Sequence, residues 1–178
     1  MKKTLLIGLL CFLTFFLISC QSKTDENETE IPVTHENLTI EQLAEQSTLS
    51  VKLPEKLPFD PVDVMITLDD YKELYEEGEQ IEDIQVRYIK TYREGRYIDV
   101  IVSNLEQTNE TGETVMLDNG TEAIYAEDEI GQMLFWTEDT VNYRLVYYTS
   151  NKVNEGQEPL PLDEFIAIAN SFKPISNS

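Results

Sequence analysis

The stretch from residue 82 to 149 constrains the fold most, because short strand-like segments follow one another there with turn-forming residues between them. Connections this short join neighbouring antiparallel strands, whereas parallel strands need a longer crossover. Upstream, residues 62–68 alternate apolar and polar side chains, which predicts a further strand with one buried face. The sequence therefore predicts an antiparallel sheet of about six to seven strands. Its segments are 62–68, 82–92, 96–105, 114–117, 121–126, 132–137 and 142–149.

Two local patterns refine this sheet. The run Asp-Asn-Gly at 118–120 separates two strand segments, and Asn-Gly predicts a type I′ hairpin turn in which both central residues have positive φ. Residues 143–148 alternate so that both faces of the strand carry apolar side chains. Such a strand is expected near the centre of the sheet, with a covering layer over one face.

A short helix is predicted before the sheet. Residues 39–42 match a capping box, with Thr39 as the N-cap and Gln42 reaching back to it, so a helix is expected over 40–47. The three prolines in 51–61 then exclude a helix and favour an extended edge or a polyproline-like segment.

A second helix is predicted near the C-terminus, over residues 161–172, with Pro161 near its start. Its apolar residues recur at helical spacing and are Leu162, Phe165, Ile166, Ala169 and Phe172. A run of strands followed by a terminal helix indicates an α+β fold in two layers. Residues 38–178 are expected to form one such domain, in which the C-terminal amphipathic helix packs on the sheet.

The N-terminus carries a targeting signal. Lys2 and Lys3 precede an apolar run of about fourteen residues, whereas a membrane-spanning helix needs about 20. The run ends in Leu-Ile-Ser-Cys at 17–20, which resembles the lipobox of bacterial lipoprotein precursors. This resemblance implies that residues 1–19 are a lipoprotein signal peptide and that Cys20 is lipidated. An ordinary secretory signal and an uncleaved anchor are the alternatives.

The residues after the signal give little scope for cysteine or histidine chemistry. Residues 20–37 are polar and acidic, and are predicted to be a disordered tether on the lipid anchor. Cys11 lies in the signal, so the mature chain keeps only Cys20 and no disulfide is predicted. His35 is the single histidine, and a mobile tether gives it no fixed partner for catalysis.

The formal net charge of −21 argues against nucleic acid as a partner, because such a chain is repelled by phosphates. The acidity indicates solubility, or alternatively attraction of cations or basic partners. Residues 69–83 concentrate this charge but lack the ligand spacing of a calcium loop. A solvated loop is expected there, with weak divalent-ion binding as the alternative.

Several segments together resemble an uncharacterised extracytoplasmic domain. That domain occurs at the C-terminal ends of Gram-positive lipoproteins and membrane-anchored anti-sigma factors. The resemblance covers about residues 50–175 and implies no catalytic residues, because the motifs that carry it are packing motifs. They lie at 51–61, 85–88, 131–136, 143–148 and 160–172.

The mature sequence favours a non-catalytic protein. It contains no Ser/His or Cys/His pair, no phosphate-binding glycine loop and no metal-ligand histidine spacing, so no catalytic residue, metal or cofactor is predicted. The leading hypothesis is a lipid-anchored binding or sensing domain on the extracytoplasmic face of the cell membrane. Its partner would be an envelope protein or a small ligand. A carrier or chaperone for an apolar ligand or lipoprotein, and a glycosidase that uses two carboxylates, are the alternatives.

Aromatic residues are the candidate ligand-binding groups. Trp136, Tyr143 and Tyr147 lie on neighbouring predicted strands, where they could line a binding surface. Packing between the sheet and its covering layer is the alternative for the same side chains.

Overall fold

The computed structural model describes residues 32–71, 80–92, 96–105, 111–149 and 158–176. The chain divides into one unit over Met1–Glu30 and another over Ile31–Ser178. The predicted signal peptide and Cys20, the predicted site of lipidation, lie outside the described residues. In chain order the elements are β1 (Val33–Glu36), α1 (Ile40–Gln46), β2 (Lys52–Pro54), β3 (Asp63–Asp70), β4 (Glu82–Thr91), β5 (Arg96–Ser103), β6 (Glu113–Met116), β7 (Glu122–Glu127), β8 (Gly131–Glu138), β9 (Val141–Tyr148), α2 (Leu162–Asn170) and β10 (Phe172–Pro174).

The main sheet has eight strands in the order β1-β3-β4-β5-β9-β8-β7-β6, and β10 pairs with β2 in a separate two-stranded sheet. Every described pairing is antiparallel. The antiparallel sheet with two helices agrees with the α+β prediction, whereas the predicted strand number of six to seven is too low. The sequence also predicted that β9 is a central strand. This is confirmed, because β9 lies between β5 and β8 in the main sheet.

One face of the main sheet, called the inner face, forms the core. The alternation of side chains along each strand turns apolar residues to this face, and the register aligns Ile66, Val86, Val100, Leu145 and Leu134 across five neighbouring strands. All five are buried almost completely. Removing these apolar surfaces from water contributes the main stabilisation of the sheet.

A layer made of the two helices and the β2–β10 pair covers the inner face. The predicted capping box is confirmed in α1, because the Thr39 side chain accepts from the Gln42 backbone N–H and the Gln42 side chain accepts from that of Thr39. From α2, Phe165, Ile168 and Ala169 enter the core. Phe165 and Ala169 belong to the predicted apolar stripe and Ile168 does not, and α2 ends at Asn170, so that Phe172, predicted to lie in the helix, begins β10. No helix in the described part of the chain is long and apolar enough to cross a membrane.

Two further predicted boundaries differ from the structure. The last part of the segment predicted to be a tether, Val33–Glu36, is an edge strand that pairs with β3. The acidic segment 69–83 was expected to be a loop, but its ends belong to β3 and β4, and residues 72–79 lie outside the described part. Both differences arise because pairing with a distant strand satisfies the backbone of a locally polar sequence.

The hairpin turn between β6 and β7 lies where predicted, but its type differs. Gly120 has φ of 84°, while Asn119 does not have a positive φ, so the turn is not type I′. The Gly120 backbone N–H donates to Leu117 and the Leu117 N–H donates to Thr121. This is the three-residue connection in which a left-handed glycine follows a type I turn.

Glu82 of β4 connects the segment after α1 to the sheet through hydrogen bonds. Its carboxylate is 1% exposed and points to the inner face, where it accepts from the backbone N–H and hydroxyl of Thr48 at 3.0 and 2.8 Å. The hydroxyl of Ser47 and the amide of Gln80 also donate to it. These donors satisfy a carboxylate that would otherwise be costly to bury.

Glu82→Ala is expected to lower the free energy of unfolding by about 2 kcal/mol, because hydrogen bonds to a charged group are lost and their donors stay partly buried. Urea unfolding measures this change, and hydrogen exchange should show faster exchange of the Thr48 amide. Glu45→Ala is the control, since Glu45 is an exposed carboxylate on α1. Equal stability of the two variants would contradict the anchoring role.

Candidate functional site

The structure places the predicted ligand-binding aromatics inside the core. Trp136, Tyr143 and Tyr147 are 3%, 1% and 7% exposed. The rings of Trp136 and Tyr143 stack at 5.2 Å between centroids, and Phe172 meets both edge-on. The Tyr143 hydroxyl donates to the carbonyl of Ser50 at 3.0 Å, and burial raises its pKa to about 12. This placement favours packing over contact with a ligand.

The space between the sheet and α2 is occupied by side chains. Phe165 is completely buried, and its ring meets Tyr125 edge-on at 6.2 Å. Gln132 closes one end of this layer by bonding the backbone N–H and carbonyl of Leu160. A carrier for an apolar ligand needs a cavity at this position, and the described residues here are packed against one another.

The buried apolar residues of the two helices and of the β2–β10 pair all belong to the inner-face core, and the opposite side of the main sheet is called the outer face. It nevertheless contains a fully buried carboxylate. Asp99, at the centre of β5, is 0% exposed. A charge in this position must be compensated by direct partners, because burial of an unpaired carboxylate is strongly unfavourable.

Four hydrogen bonds compensate Asp99. Arg87 donates from Nε and Nη2 to its two oxygens, both at 2.7 Å, and the Gln85 amide donates at 2.8 Å. The Tyr148 hydroxyl completes the set at 3.1 Å. Hydrogen bonding to Asp99 holds the pKa of Arg87 above its ordinary value, and burial, followed by the charge of Asp99, raises the pKa of Tyr148 to about 12. The bidentate geometry fixes the plane of the guanidinium.

The Asp99 network supports a surface that we call the platform, formed by Met65, Arg87, Tyr92, Tyr97 and Tyr148. Arg87 lies 4.3 Å from the centroid of the Tyr97 ring, and the Tyr97 and Tyr148 rings are 4.6 Å apart. At the margin, Tyr92 and Met65 are 65% and 44% exposed, and the Tyr92 hydroxyl donates to Asp63. Tyr, Met and Arg are the residues enriched in protein interfaces.

Next to the platform, two carboxylates face each other across strands. Asp69 of β3 is directly opposite Asp83 of β4, and both lie on the outer face. They line a shallow pocket of about 130 Å³ together with Thr67, Gln85 and Ile101. Burial and the nearby Asp69 raise the pKa of Asp83, while Arg144 acts in the opposite direction. Glu82 and Asp83 are neighbours in the sequence, but the Glu82 side chain points to the inner face and the Asp83 side chain to the outer face.

Other polar features of the described residues are less organised. A second pocket of about 320 Å³ lies at the C-terminal end of α2, where Glu55, Lys56, Asp118 and Lys173 give it charges of both signs. No group of three or more His, Cys, Asp or Glu side chains that could hold a metal ion occurs in the described ranges. His35 lies on β1, opposite Leu68.

The sequence interpretation missed the platform. Its one local signal is Asp99, a charge placed within the otherwise apolar and aromatic run 97–102. Its partners on β4 and β9 are distant in the chain and become neighbours only through the sheet register.

No family model matches the chain, no curated protein matches it, and no solved structure matches it. The resemblance of residues 50–175 to an extracytoplasmic lipoprotein domain stays a prediction.

Arg87→Ala is expected to destabilise the protein by about 3 kcal/mol, because it leaves the carboxylate of Asp99 buried without its main partner. This value is the lower end of the usual range, since the Arg87 side chain is 34% exposed. Urea unfolding measures the change. Lys90→Ala is the control, because Lys90 contacts the Phe59 ring only at the surface and its loss should cost less than about 1 kcal/mol. Similar losses in the two variants would contradict the role assigned to Asp99.

Asp83→Asn is expected to stabilise the protein near neutral pH. Because the folded-state pKa of Asp83 is raised, its ionised form opposes folding above that pKa, and the penalty disappears as pH falls below the unfolded-state value. A gain of about 0.5 kcal/mol is expected at neutral pH, as for relief of a like-charge cross-strand pair. It should vanish in acid.

Urea unfolding at both pH values tests this expectation, with Glu122→Gln as a control that removes an exposed carboxylate from β7. An Asp83→Asn variant that is less stable than the unmodified chain at neutral pH would show that attraction to Arg144 outweighs burial and repulsion.

Proposed function

We propose that this protein is a lipid-anchored, non-catalytic binding or sensing domain on the extracytoplasmic face of the cell membrane, and that its platform docks an envelope partner. The observation that carries the proposal is the rigid support of the platform. Arg87 and Tyr148 are both held by the buried Asp99, while Met65 and Tyr92 stay exposed beside them. Interface residues held in place before binding lose little conformational entropy when a partner docks.

The composition of the platform supports docking of a macromolecule. An exposed Tyr and Met beside a stacked Arg form an apolar, hydrogen-bonding surface on a chain that is otherwise strongly acidic. Binding energy in protein interfaces concentrates in Tyr, Trp and Arg side chains surrounded by less important contacts. The cell-surface location rests on the lipobox resemblance at 17–20 and the lipidation that it implies for Cys20.

Site-specific photo-crosslinking in intact cells tests this function. The full chain is produced with p-benzoylphenylalanine in place of Tyr92, and a Cys20→Ala version of the same chain removes the anchor. One envelope protein should be captured by the anchored chain and lost, or strongly reduced, without the anchor.

The matched control carries the same photoreactive residue in place of Met116, a side chain of similar exposure at 58% on the edge strand β6, three strands beyond β9. Capture from Tyr92 but not from Met116 is expected. Equal capture from both positions, or none from Tyr92, would remove the platform as the binding surface.

A further inference from the structure

The outer face is charged unevenly. On its β1–β3–β4 side, the acidic residues Glu36, Asp69 and Asp83 all point outward, as the register of these strands shows. The positive charge of Arg87 is balanced by its bidentate pair with Asp99. Arg144 lies two strands beyond β4, where its guanidinium is 4.9 Å from the centroid of the Phe135 ring, and its positive charge also acts on Asp83. One side of the face therefore carries an excess of negative charge.

The pocket between Asp69 and Asp83 suits an organic cation. Its walls combine the two carboxylates with the Gln85 amide, the Thr67 side chain and the apolar Ile101. An apolar wall beside paired carboxylates matches a side chain with an alkyl stem and a charged end, as in lysine and arginine. A bare divalent ion fits less well, because calcium takes about six to eight oxygen ligands and the described residues hold no such group.

Met65 of the platform and Asp69 of the acidic pair formed by Asp69 and Asp83 both lie on β3, so one partner segment can reach both features. Met65 and Asp69 share the outer face of β3 and are four positions apart, which at 3.3 Å per residue is about 13 Å. A partner segment that spans them needs an apolar side chain and a basic side chain at that separation. The spacing corresponds to about four residues in an extended segment or about nine in a helix.

Charge complementarity distinguishes among possible occupants. A second copy of this chain would bring another net charge of −21 toward the acidic side, which disfavours self-association through this face. A basic protein segment gains from the same field, both in the rate of encounter and in the paired charges of the complex.

We propose that the outer face docks a basic protein segment of the cell envelope, with one Lys or Arg side chain between Asp69 and Asp83 and an apolar side chain against Met65 and Tyr92. This inference rests on the proposed function and adds the chemistry of the partner. The β3 strand supplies contacts at both ends of the docked segment.

The test uses the anchored full chain with the photoreactive residue in place of Tyr92, and adds Asp69→Asn together with Asp83→Asn. These changes keep the shape of both side chains while removing their charges. The matched control is Glu113→Gln with Glu122→Gln, which removes two exposed carboxylates from β6 and β7 at the far end of the sheet. Adduct yield and the sequence of the captured segment are measured by mass spectrometry.

The Asp69→Asn/Asp83→Asn chain is expected to lose about tenfold in adduct yield, while the control changes less than about twofold, and the captured segment should contain Lys or Arg. An adduct that both double variants affect equally, that maps to a segment without Lys or Arg, or that contains a second copy of this chain would overturn the inference. In those cases specific capture from Tyr92 would still leave the proposed function standing. Absence of any adduct from Tyr92 would remove both.

Discussion

The outer face of this protein depends on the compensation of one buried charge. Asp99 is completely buried near the centre of the eight-stranded sheet, on the face opposite the core to which the helices and the β2–β10 pair contribute. Its burial would oppose folding if Arg87, Gln85 and Tyr148 did not donate to it. Because these donors come from β4 and β9, which flank β5, the carboxylate links three strands through four hydrogen bonds.

The hydrogen bonds to Asp99 explain how the polar and aromatic side chains of the platform can form a surface of fixed geometry. The guanidinium of Arg87 cannot rotate away without breaking its two bonds to Asp99, and Tyr97 stacks on it from the same strand that carries Asp99. The aromatic rings and the guanidinium thus hold fixed positions at low entropic cost on binding. Long surface side chains without such support would lose rotamer freedom each time a partner docked.

The sequence predicted those elements whose signals are local. Alternation in β3, β4, β5 and β9 located the strands, and the capping box beginning at Thr39 located α1. The strand β1 was missed because Val33–Glu36 is short and polar, and its strand conformation comes from pairing with β3. The turn at 118–120 was located by its residue types, but its conformation depended on whether one or two residues took positive φ, which Asn-Gly alone does not decide.

The candidate site could be predicted far less well, because it is assembled by register. Trp136 and Tyr143 are conspicuous in the sequence, yet directly opposed positions on β8 and β9 turn both to the buried inner face. By contrast, Asp69 and Asp83 are ordinary acids in a charged segment until β3 and β4 pair and place one against the other. Which face a residue occupies changes with a shift of one position, so local composition cannot assign it.

The edge strand β1 contacts the acidic pair formed by Asp69 and Asp83 directly. Thr34 is opposite Asp69 in the register, and its hydroxyl donates to the Asp69 carboxylate at 2.5 Å. The strand β1, which lies at the end of the segment predicted to be a tether, therefore also orients one of the two acids in the proposed docking pocket. The hydrogen bond from Thr34 fixes the position of the Asp69 carboxylate beside Asp83, where the two negative charges repel each other. Pairing of β3 with β1 on one side and with β4 on the other thus positions Asp69 and Asp83, and both carboxylates point to the outer face.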